Sequence, residues 1–437
     1  MVQQAVILCG GLGTRLGAMV ADVPKPMIDI GGKPLLVHTL ARLREAGVTD
    51  VILAAGYKAD VIRQYFEAHP QGLSIHVFDE PRPLGTAGCV RDLLPHLSRR
   101  FLVVYGDVFI DFDLREIIGA AEGSDAMATL LVRPSDHPWD SDLVVTNGRQ
   151  RITGFIRAGE YRDFPRNCAN AAIYVVDHRL VELMPAGKKL DWVKDVFPAA
   201  LAAGMTLETH DFSGDGFLKD MGTPQRLGLV ERYLVDKQLV ERARAHPRPI
   251  ATVFLDRDGV INEEVDLLRT PADFRLLPGA ADAVAALNAA GMQVIVVTNQ
   301  PVIARGLCTL DTLEAIHGRM HDALAAAGAR VDAVYFCPHH PETHHRDACS
   351  VAELRVACEC RKPAPGMILR AARERGCDLA ASVLVGDRPS DVQAATRAGL
   401  RSILIGAEVP GHPRPDLVVA SLQEAADAIL SGRLLPS

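Results

Sequence analysis

The chain has 437 residues, of which 48% are hydrophobic and 23% charged, so two or three globular domains with full cores are expected. Its formal net charge is −7, it carries no block of like basic charge and only two tryptophans, and nucleic acid and anionic membrane surfaces are therefore excluded as general partners. No apolar run reaches the ~18 residues of a membrane span and no basic leader precedes the first apolar run, so the expectation is a cytoplasmic protein acting on small molecules, with an oligomer left open.

Apolar runs alternate with helical periods along the first half. A strand is expected over 6–8. Leu36, Leu40 and Leu43 share one helical face, and Gly47 ends that helix. Further strands are expected over 51–55 and 101–105, the second closed by Gly106 and Asp107. Strands spaced by helices imply a mostly parallel sheet. The loop after the first strand holds Gly10, Gly11, Gly13, Thr14, Arg15 and Gly17. Its glycines allow positive φ and let backbone N–H groups approach a phosphate. The spacing is neither the dinucleotide fingerprint nor the Gly-Lys-Ser/Thr phosphate loop, and alone it describes a tight strand-to-helix turn. Lys25 follows between Pro24 and Pro26 in a stiff extended segment. Three more pieces come in order: Pro83-Leu-Gly-Thr-Ala-Gly88, Gly106-Asp107 and Asp220-Met-Gly-Thr-Pro224.

Together these motifs resemble the sugar-1-phosphate nucleotidyltransferases over nearly all of residues 1–232. The resemblance implies that Gly10, Gly11, Gly13, Thr14 and Arg15 hold a triphosphate and that Lys25 neutralises the α-phosphate. It also implies that Gly85, Thr86 and Ala87 line the base pocket, and that Asp107 and Asp220 ligate Mg²⁺. Both reactants are anions, so cationic side chains and a metal must offset their repulsion. Asp107 taken alone is as well read as a turn cap. The segment Ala21-Asp-Val-Pro-Lys-Pro-Met27 looks most like the guanylyltransferase branch for heptose and mannose 1-phosphates, which implies GTP. Two departures concern the sugar. The family's usual Glu-Lys pair is Arg157-Ala158 here, and its usual Asn-Ala-Gly is Asn170-Ala-Ala172. Asp195, in Lys194-Asp-Val-Phe-Pro198, either flanks the sugar pocket with Asn170 or caps a helix.

Residues 225–245 read as a helix, broken by His246-Pro-Arg-Pro249, with no internal repeat after it. The expected division is a first domain over 1–232, a helical linker over 233–249 and a second domain over 250–437. A new strand then ends in Asp256 and Asp258. Thr298 and Asn299 close another, Arg361 and Lys362 come next, and Gly386-Asp387 with Asp391 comes last. This order resembles the haloacid dehalogenase-like phosphatases. The resemblance implies that Asp256 becomes an aspartyl phosphate, that Asp258 protonates the leaving alcohol and then activates water, and that Thr298 and Lys362 hold the phosphoryl oxygens. Asn299 and Arg361 are assigned to the same substrate site. Asp387, with Asp256 and Asp258 (the last through its backbone), would bind Mg²⁺, since neighbouring carboxylates stay ionised together only on a cation. The fold class is thus α/β, with two doubly wound domains, the first a Rossmann-like mixed sheet and the second carrying a zinc loop.

That loop follows from Cys337, His339, Cys358 and Cys360. With nine cysteines, an odd number, the pattern suits a reducing compartment and a closed Cys₃His set for structural Zn²⁺ rather than disulfides. Cys349, His344 or His345 could replace one ligand. His340, His344 and His345 otherwise read as a solvated loop. The zinc loop running into Arg361-Lys362-Pro resembles the heptose 1,7-bisphosphate phosphatases and, second, the histidinol-phosphate phosphatases. Arg305 would grip a distal phosphate, while Pro301 replaces an expected serine and removes a backbone donor. The two resemblances together imply successive steps on one heptose phosphate. The alternatives are a mannose-1-phosphate guanylyltransferase joined to a less specific sugar phosphatase, and a binding module that has lost one activity.

Overall fold

Apolar runs buried on both faces set the two sheets of this chain. The computed structural model describes residues 2–10, 23–80, 82–134, 141–147, 150–157, 168–212, 216–245, 248–265, 267–341 and 351–434. They fall into two compact units, Met1–Leu234 and Val235–Ser437.

The first unit begins with β1 (Gln4–Leu8), the hairpin β2 (Asp29–Ile30) and β3 (Lys33–Pro34), α1 (Leu35–Glu45), β4 (Asp50–Ala55), α2 (Ala59–Ala68), β5 (Ser74–Asp79), α3 (Gly85–Asp92) and β6 (Arg100–Tyr105). Along β1, Ala5 and Ile7 enter one core while Val6 enters the other; along β6, Leu102 and Val104 oppose Phe101 and Val103 in the same way. Such strands read as continuous apolar runs because neither face meets water. β6, β1, β4 and β5 are parallel neighbours.

The expectation of a mostly parallel sheet holds only for that half. β7 (Val108–Asp111) and α4 (Arg115–Glu122) lead to β8 (Ala128–Arg133), β9 (Leu143–Thr146), β10 (Ile152–Ile156) and β11 (Ala169–Asp177). β11 runs antiparallel to β6, β8 and β9, and β10 antiparallel to β9. No helix is described between β8 and β11, and strands joined without a crossover helix pair antiparallel. The unit continues with α5 (His178–Glu182), a π-helical turn (Trp192–Val196) running into α6 (Phe197–Ala202), β12 (Leu207–Asp211) and β13 (Phe217–Asp220). β12 is parallel to β8, and β13 pairs with β7 outside the main sheet.

α7 (Pro224–Ala245) is one helix whose first residues belong to the first unit and whose remainder, from Val235, belongs to the second. The second unit then runs β14 (Thr252–Leu255), α8 (Ala280–Ala289), β15 (Gln293–Asn299), α9 (Leu310–Ala325), β16 (Ala333–Cys337), α10 (Gly366–Arg375), β17 (Ser382–Gly386), α11 (Pro389–Ala398), β18 (Arg401–Ile405), β19 (Leu417–Val419) and α12 (Leu422–Leu430). Its six strands are all parallel in the order β16-β15-β14-β17-β18-β19. The chain therefore reverses direction of winding between β14 and β17, and ligands of such sheets bind outside the strands' carboxyl ends at that point. Among the described residues, no helix is long and apolar enough to cross a membrane.

Candidate active sites and metal centre

In the first unit the expected residues gather at the carboxyl edge of β1 and β6. Gly10 follows β1, while Gly11, Gly13, Thr14 and Arg15 lie outside the described residues, as does Ala158. Lys25 Nζ meets Asp107 Oδ2 at 2.5 Å. Asp220 ends β13, and the N–H of Met221 donates to the Asp107 carbonyl at 2.8 Å, which brings the two acidic residues together. Asp220 Oδ1 accepts from Arg226 at 2.5 Å and from the Gly222 N–H at 3.2 Å. Each carboxylate thus already has one cation and keeps lone pairs for a metal.

The Pro83-to-Gly88 segment opens α3. Gly85 has φ +76°, and a Cβ there would lie 2.5 Å from the Leu190 carbonyl oxygen. The Thr86 hydroxyl donates to Asp191 and accepts from the Trp192 N–H, and the buried Ala87 donates its N–H to Leu190. These contacts clamp the segment to residues 190–192. Asp195 has the capping geometry: its carboxylate accepts from the Asp191 N–H at 2.7 Å, while Asp191 accepts from Val193 and Lys194 N–H groups. Asn170 donates to the Tyr174 hydroxyl at 2.8 Å and accepts from Ala172 N–H. Ala172, where the family resemblance leads one to expect glycine, sits at φ +59° within a β-bulge of β11. Arg157 is exposed just past β10.

Sequence reasoning missed Glu80. It follows β5 at the same edge; its Oε1 accepts from Leu84 N–H at 2.6 Å, and its Oε2 lies 2.7 Å from where a Cβ on Gly10 would stand. Burial lifts its carboxyl above the ordinary range. Its place directly after a parallel strand was the available signal.

In the second unit β14 delivers Asp256 and β17 delivers Asp387, on either side of the winding reversal. Asp256, Asp387 and Asp391 bring carboxylate oxygens within 4.8 Å of one another. Close approach is possible because Gly259 and Gly386 have no side chains; a Cβ on either would strike Asp387 or Asp391. Lys362 Nζ bridges Asp256 Oδ2 at 2.9 Å and Asp391 Oδ1 at 2.5 Å. Asp391 was expected near this chemistry but not as a cluster member; the first turn of α11 carries it in. With protein groups alone, burial pushes Asp256 up to about 7, Lys362 opposing and Asp391 adding to the rise. Burial, then Asp391, pushes Asp387 up to about 6. Burial disfavours the Lys362 ammonium, but Asp256 and Asp391 outweigh it and hold its pKa high. Asp387 Oδ1 is buried without a hydrogen-bond partner among the described residues. Three hard oxygen donors, one of them orphaned, fit Mg²⁺.

The Asp258 side chain stands outside that cluster, so only its backbone is left for a metal. Its carboxylate accepts from Arg257, Asn262 and Gln300, and those groups outweigh burial and hold its pKa below the usual range. Thr298 Oγ1 accepts from Gln300 Nε2 at 2.9 Å, leaving its own proton to donate. Asn299 acts on Lys362 itself: its amide donates to the Lys362 carbonyl and accepts from the Lys362 N–H, both at 3.0 Å. Arg361 donates to the His339 carbonyl at 3.3 Å.

Beside Lys362 lies the cysteine cluster. Cys337, Cys358 and Cys360 place their sulfurs 3.2–3.5 Å apart, and His339 Nδ1 lies 3.6 Å from Cys337 Sγ and 3.3 Å from Cys360 Sγ. Four soft donors at such separations surround one point, as a tetrahedral Zn²⁺ site requires. Cys349, His344 and His345 lie outside the described residues. His340 corrects the expectation of a solvated loop. It is only 6% exposed, its N–H pairs with the Leu354 carbonyl, and its Nε2 lies 3.4 Å from Arg305 Nη2.

Comparison with known proteins agrees with this two-part geometry. Residues 4–235 match the family described as nucleotidyl transferase, and residues 359–425 match the one described as HAD-hydrolase-like. The chain is 47% identical over 158 residues to a D-glycero-beta-D-manno-heptose-1,7-bisphosphate 7-phosphatase of Rhodopseudomonas palustris, covering 36% of this chain and 83% of that protein. It is 34% identical over 224 residues to a mannose-1-phosphate guanylyltransferase of Mycobacterium tuberculosis, covering 51% of this chain and 61% of that protein. The crystal structure of the D,D-heptose 1,7-bisphosphate phosphatase from B. bronchiseptica, complexed with magnesium and phosphate, matches 42% of this chain and 99% of its own at 37% identity, with a TM-score of 0.36. The chain therefore belongs to the nucleotidyl transferase family through its first half and to the haloacid dehalogenase-like phosphatases through its second.

Proposed function

We propose that the chain catalyses two successive steps: it removes the 7-phosphate of D-glycero-D-manno-heptose 1,7-bisphosphate, then joins the resulting 1-phosphate to GMP from GTP, releasing pyrophosphate. The observation that carries this reading is the union in one chain of a unit related to a heptose bisphosphate 7-phosphatase and a unit related to a sugar-1-phosphate guanylyltransferase. The product of the first reaction is the acceptor of the second.

In the phosphatase unit, Asp256 would attack phosphorus while Thr298 and Lys362 hold the equatorial oxygens. Asp258 would give its proton to the departing sugar oxygen, then take one from the water that frees Asp256. Asp256, Asp387, Asp391 and the Asp258 backbone would hold Mg²⁺, which supplies positive charge to the phosphoryl oxygens. Zn²⁺ on Cys337, His339, Cys358 and Cys360 would stiffen the turn that presents Lys362, together with Asn299. Arg305, with His340 behind it, would meet the phosphate that is retained.

In the transferase unit the loop from Gly10 to Arg15 would bind the triphosphate. Lys25 would move from Asp107 toward the α-phosphate as charge builds there, and Asp107 and Asp220 would hold Mg²⁺. Glu80 favours guanine, because a carboxylate only accepts hydrogen bonds and the N1–H and N2–H₂ edge only donates them. Asn170 and Asp195 would border the sugar.

The test supplies heptose 1,7-bisphosphate, GTP and Mg²⁺ and identifies products by mass. GDP-heptose should form, with Asp256→Asn blocking phosphate release and Asp107→Ala blocking the later step. The mannose reading has support of its own in the Mycobacterium relative and in Arg157. Turnover of mannose 1-phosphate in preference to heptose 1-phosphate would replace the proposal with it.

A further inference from the structure

The phosphatase site contains a buried arginine for which the reaction, as drawn above, has no use. Arg257 stands between the two aspartates of the Asp-x-Asp turn and is fully buried. No part of its side chain reaches solvent. Its guanidinium instead wraps Asp258: Nε lies 3.1 Å from Oδ1, and Nη2 lies 2.9 Å from both Oδ1 and Oδ2. Its remaining arm, Nη1, lies 3.3 Å from Nε2 of His317 on α9. A guanidinium has no acceptor, so it donates to His317, and the imidazole proton sits on Nδ1. His317 is itself 8% exposed. Burial first, and the neighbouring Arg257 second, lower its pKa to about 4, so it stands as a neutral acceptor.

The two oxygens of Asp258 are not equivalent in this cage. Oδ1 accepts from Arg257 Nε, Arg257 Nη2 and Asn262 Nδ2, the last at 3.0 Å. Oδ2 accepts from Arg257 Nη2 and from Gln300 Nε2 at 2.9 Å, and the same Gln300 amide donates to Thr298 at 2.9 Å. Three donors crowd Oδ1 and two meet Oδ2, so Oδ2 is the less crowded oxygen, and a proton arriving there displaces one of its two donors. Gln300 ties that oxygen to the threonine assigned to the phosphoryl group. A planar fork is suited to fixing the plane of a carboxyl group, which a lysine's single point of charge is not.

We propose that Arg257, anchored by His317, is the positioning residue that aims Asp258 Oδ2 at the leaving oxygen. In the step it serves, Asp258, ionised in the substrate-free site, takes a proton onto Oδ2 as the anionic phosphate ester binds; the Asp256 Oδ–P bond then forms as the P–O bond to the alcohol breaks, and that proton passes to the departing oxygen. In the second half, water attacks phosphorus, its proton returns to Oδ2, and the Asp256–phosphate bond breaks. The inference rests on the phosphatase reading but not on the identity of the sugar.

The test is leaving-group dependence. Values of kcat/KM report the chain's first phosphoryl transfer, and they can be followed over aryl phosphates from p-nitrophenyl, whose phenolate departs without a proton, to phenyl, whose phenol has a pKa of about 10. Full-length Arg257→Lys should lose roughly 30-fold or more with phenyl phosphate and less than about threefold with p-nitrophenyl phosphate, since proton donation is worth about 10²–10⁴ in rate. Asp258→Asn sets the limit of that pattern. Because Arg257 is buried and its variants can fail to fold, His317 supplies a second pair. His317→Leu should show the same leaving-group bias more weakly, and His317→Gln, which keeps an acceptor for Nη1, should restore wild-type values to within about threefold. Equal losses on both substrates, or none, in folded variants would overturn the inference while leaving the phosphatase intact. A wild-type chain that hydrolyses neither aryl phosphates nor heptose 1,7-bisphosphate with Mg²⁺ would remove the phosphatase reading and this inference with it.

Discussion

Asp387→Asn is expected to abolish phosphatase activity and yet stabilise the magnesium-free protein. Asp256, Asp387 and Asp391 lie together, and Lys362 pairs with Asp256 and Asp391, while Asp387 has Arg388 Nε at 3.9 Å. Burial and Asp391 raise Asp387 from the ordinary 3.8 to about 6. The native state therefore binds that proton more tightly than the unfolded chain, and stability falls as pH rises from 3.8 through about 6. Above that window the deficit is constant. One pKa unit is worth about 1.4 kcal/mol, which bounds the deficit at about 3 kcal/mol. The side chain is 21% exposed, and screening reduces the figure to about 1–2 kcal/mol. Asparagine removes the charge and loses little else, because Oδ1 has no partner among the described residues and Oδ2 lies 3.9 Å from Arg388 Nε. At about 2–4 °C per kcal/mol for a unit of this size, the calorimetric transition of the second unit should rise by roughly 2–8 °C at pH 8. The buffer should lack magnesium and contain no chelator, so that any zinc stays in place. The gain should shrink toward zero near pH 4, and added Mg²⁺ should stabilise the wild type but not the variant. An unchanged transition at pH 8, or an equal gain at both pH values, would refute the argument.

Cys360→Ser should eliminate one bound zinc per chain and lower phosphatase kcat by about tenfold or more while sparing pyrophosphate release, because Lys362 lies two residues away; metal analysis showing full zinc would sink the ligand set. Glu80→Gln should reduce kcat/KM for GTP by about 10–100-fold, the worth of a charged hydrogen bond, with little change for UTP; an unaltered GTP/UTP ratio would remove guanine recognition from Glu80. Ala172→Gly should raise stability by about 0.5–1 kcal/mol, since a left-handed alanine costs more than glycine's extra unfolded freedom, and denaturant titration would read it. A fragment over 235–437 should melt roughly 5–15 °C above one over 250–437. The longer fragment keeps Leu239, Val240 and Ala243 against the core of α10 and α11, and Arg244 on the Thr396 carbonyl at 2.9 Å; equal melting would place the boundary after α7.

The strands and the motifs at their ends were legible because buried parallel strands announce themselves as apolar runs, and chemistry follows them directly. Asp107, Asp256 and Asp387 all stand one or two residues beyond such a run. Partners that meet across long separations left no trace in the string. Asn299 was read as a substrate contact, whereas its amide is occupied by the main chain of Lys362, 63 residues away. His340 was read as solvated because histidine-rich loops usually are, and a backbone pairing to Leu354 buries it. A mixed sheet was expected in the first unit, but the place of its antiparallel half was hidden, because β8 to β11 lack the helical punctuation on which parallel pairing was inferred. Ala172 was visible as a departure, but not its reason for mattering, since φ is not written in a side chain.

The two sites solve the same electrostatic problem in opposite ways. In the first unit each acidic residue has its own cation, Lys25 for Asp107 and Arg226 for Asp220. Such a site is balanced before any metal arrives, and on the proposed reading a triphosphate that brings Mg²⁺ would also bring the anionic charge that draws Lys25 away. In the second unit three carboxylates, Asp256, Asp387 and Asp391, lie together; Lys362 pairs with Asp256 and Asp391, and the protein groups alone leave an excess of negative charge in a buried place. Desolvation makes that arrangement unfavourable unless a cation is present. On the proposed reading, the chain holds one site that its substrate would complete and one that a bound cation would complete. This difference follows from charge count and burial at eight side chains, and it is independent of which sugar either site accepts.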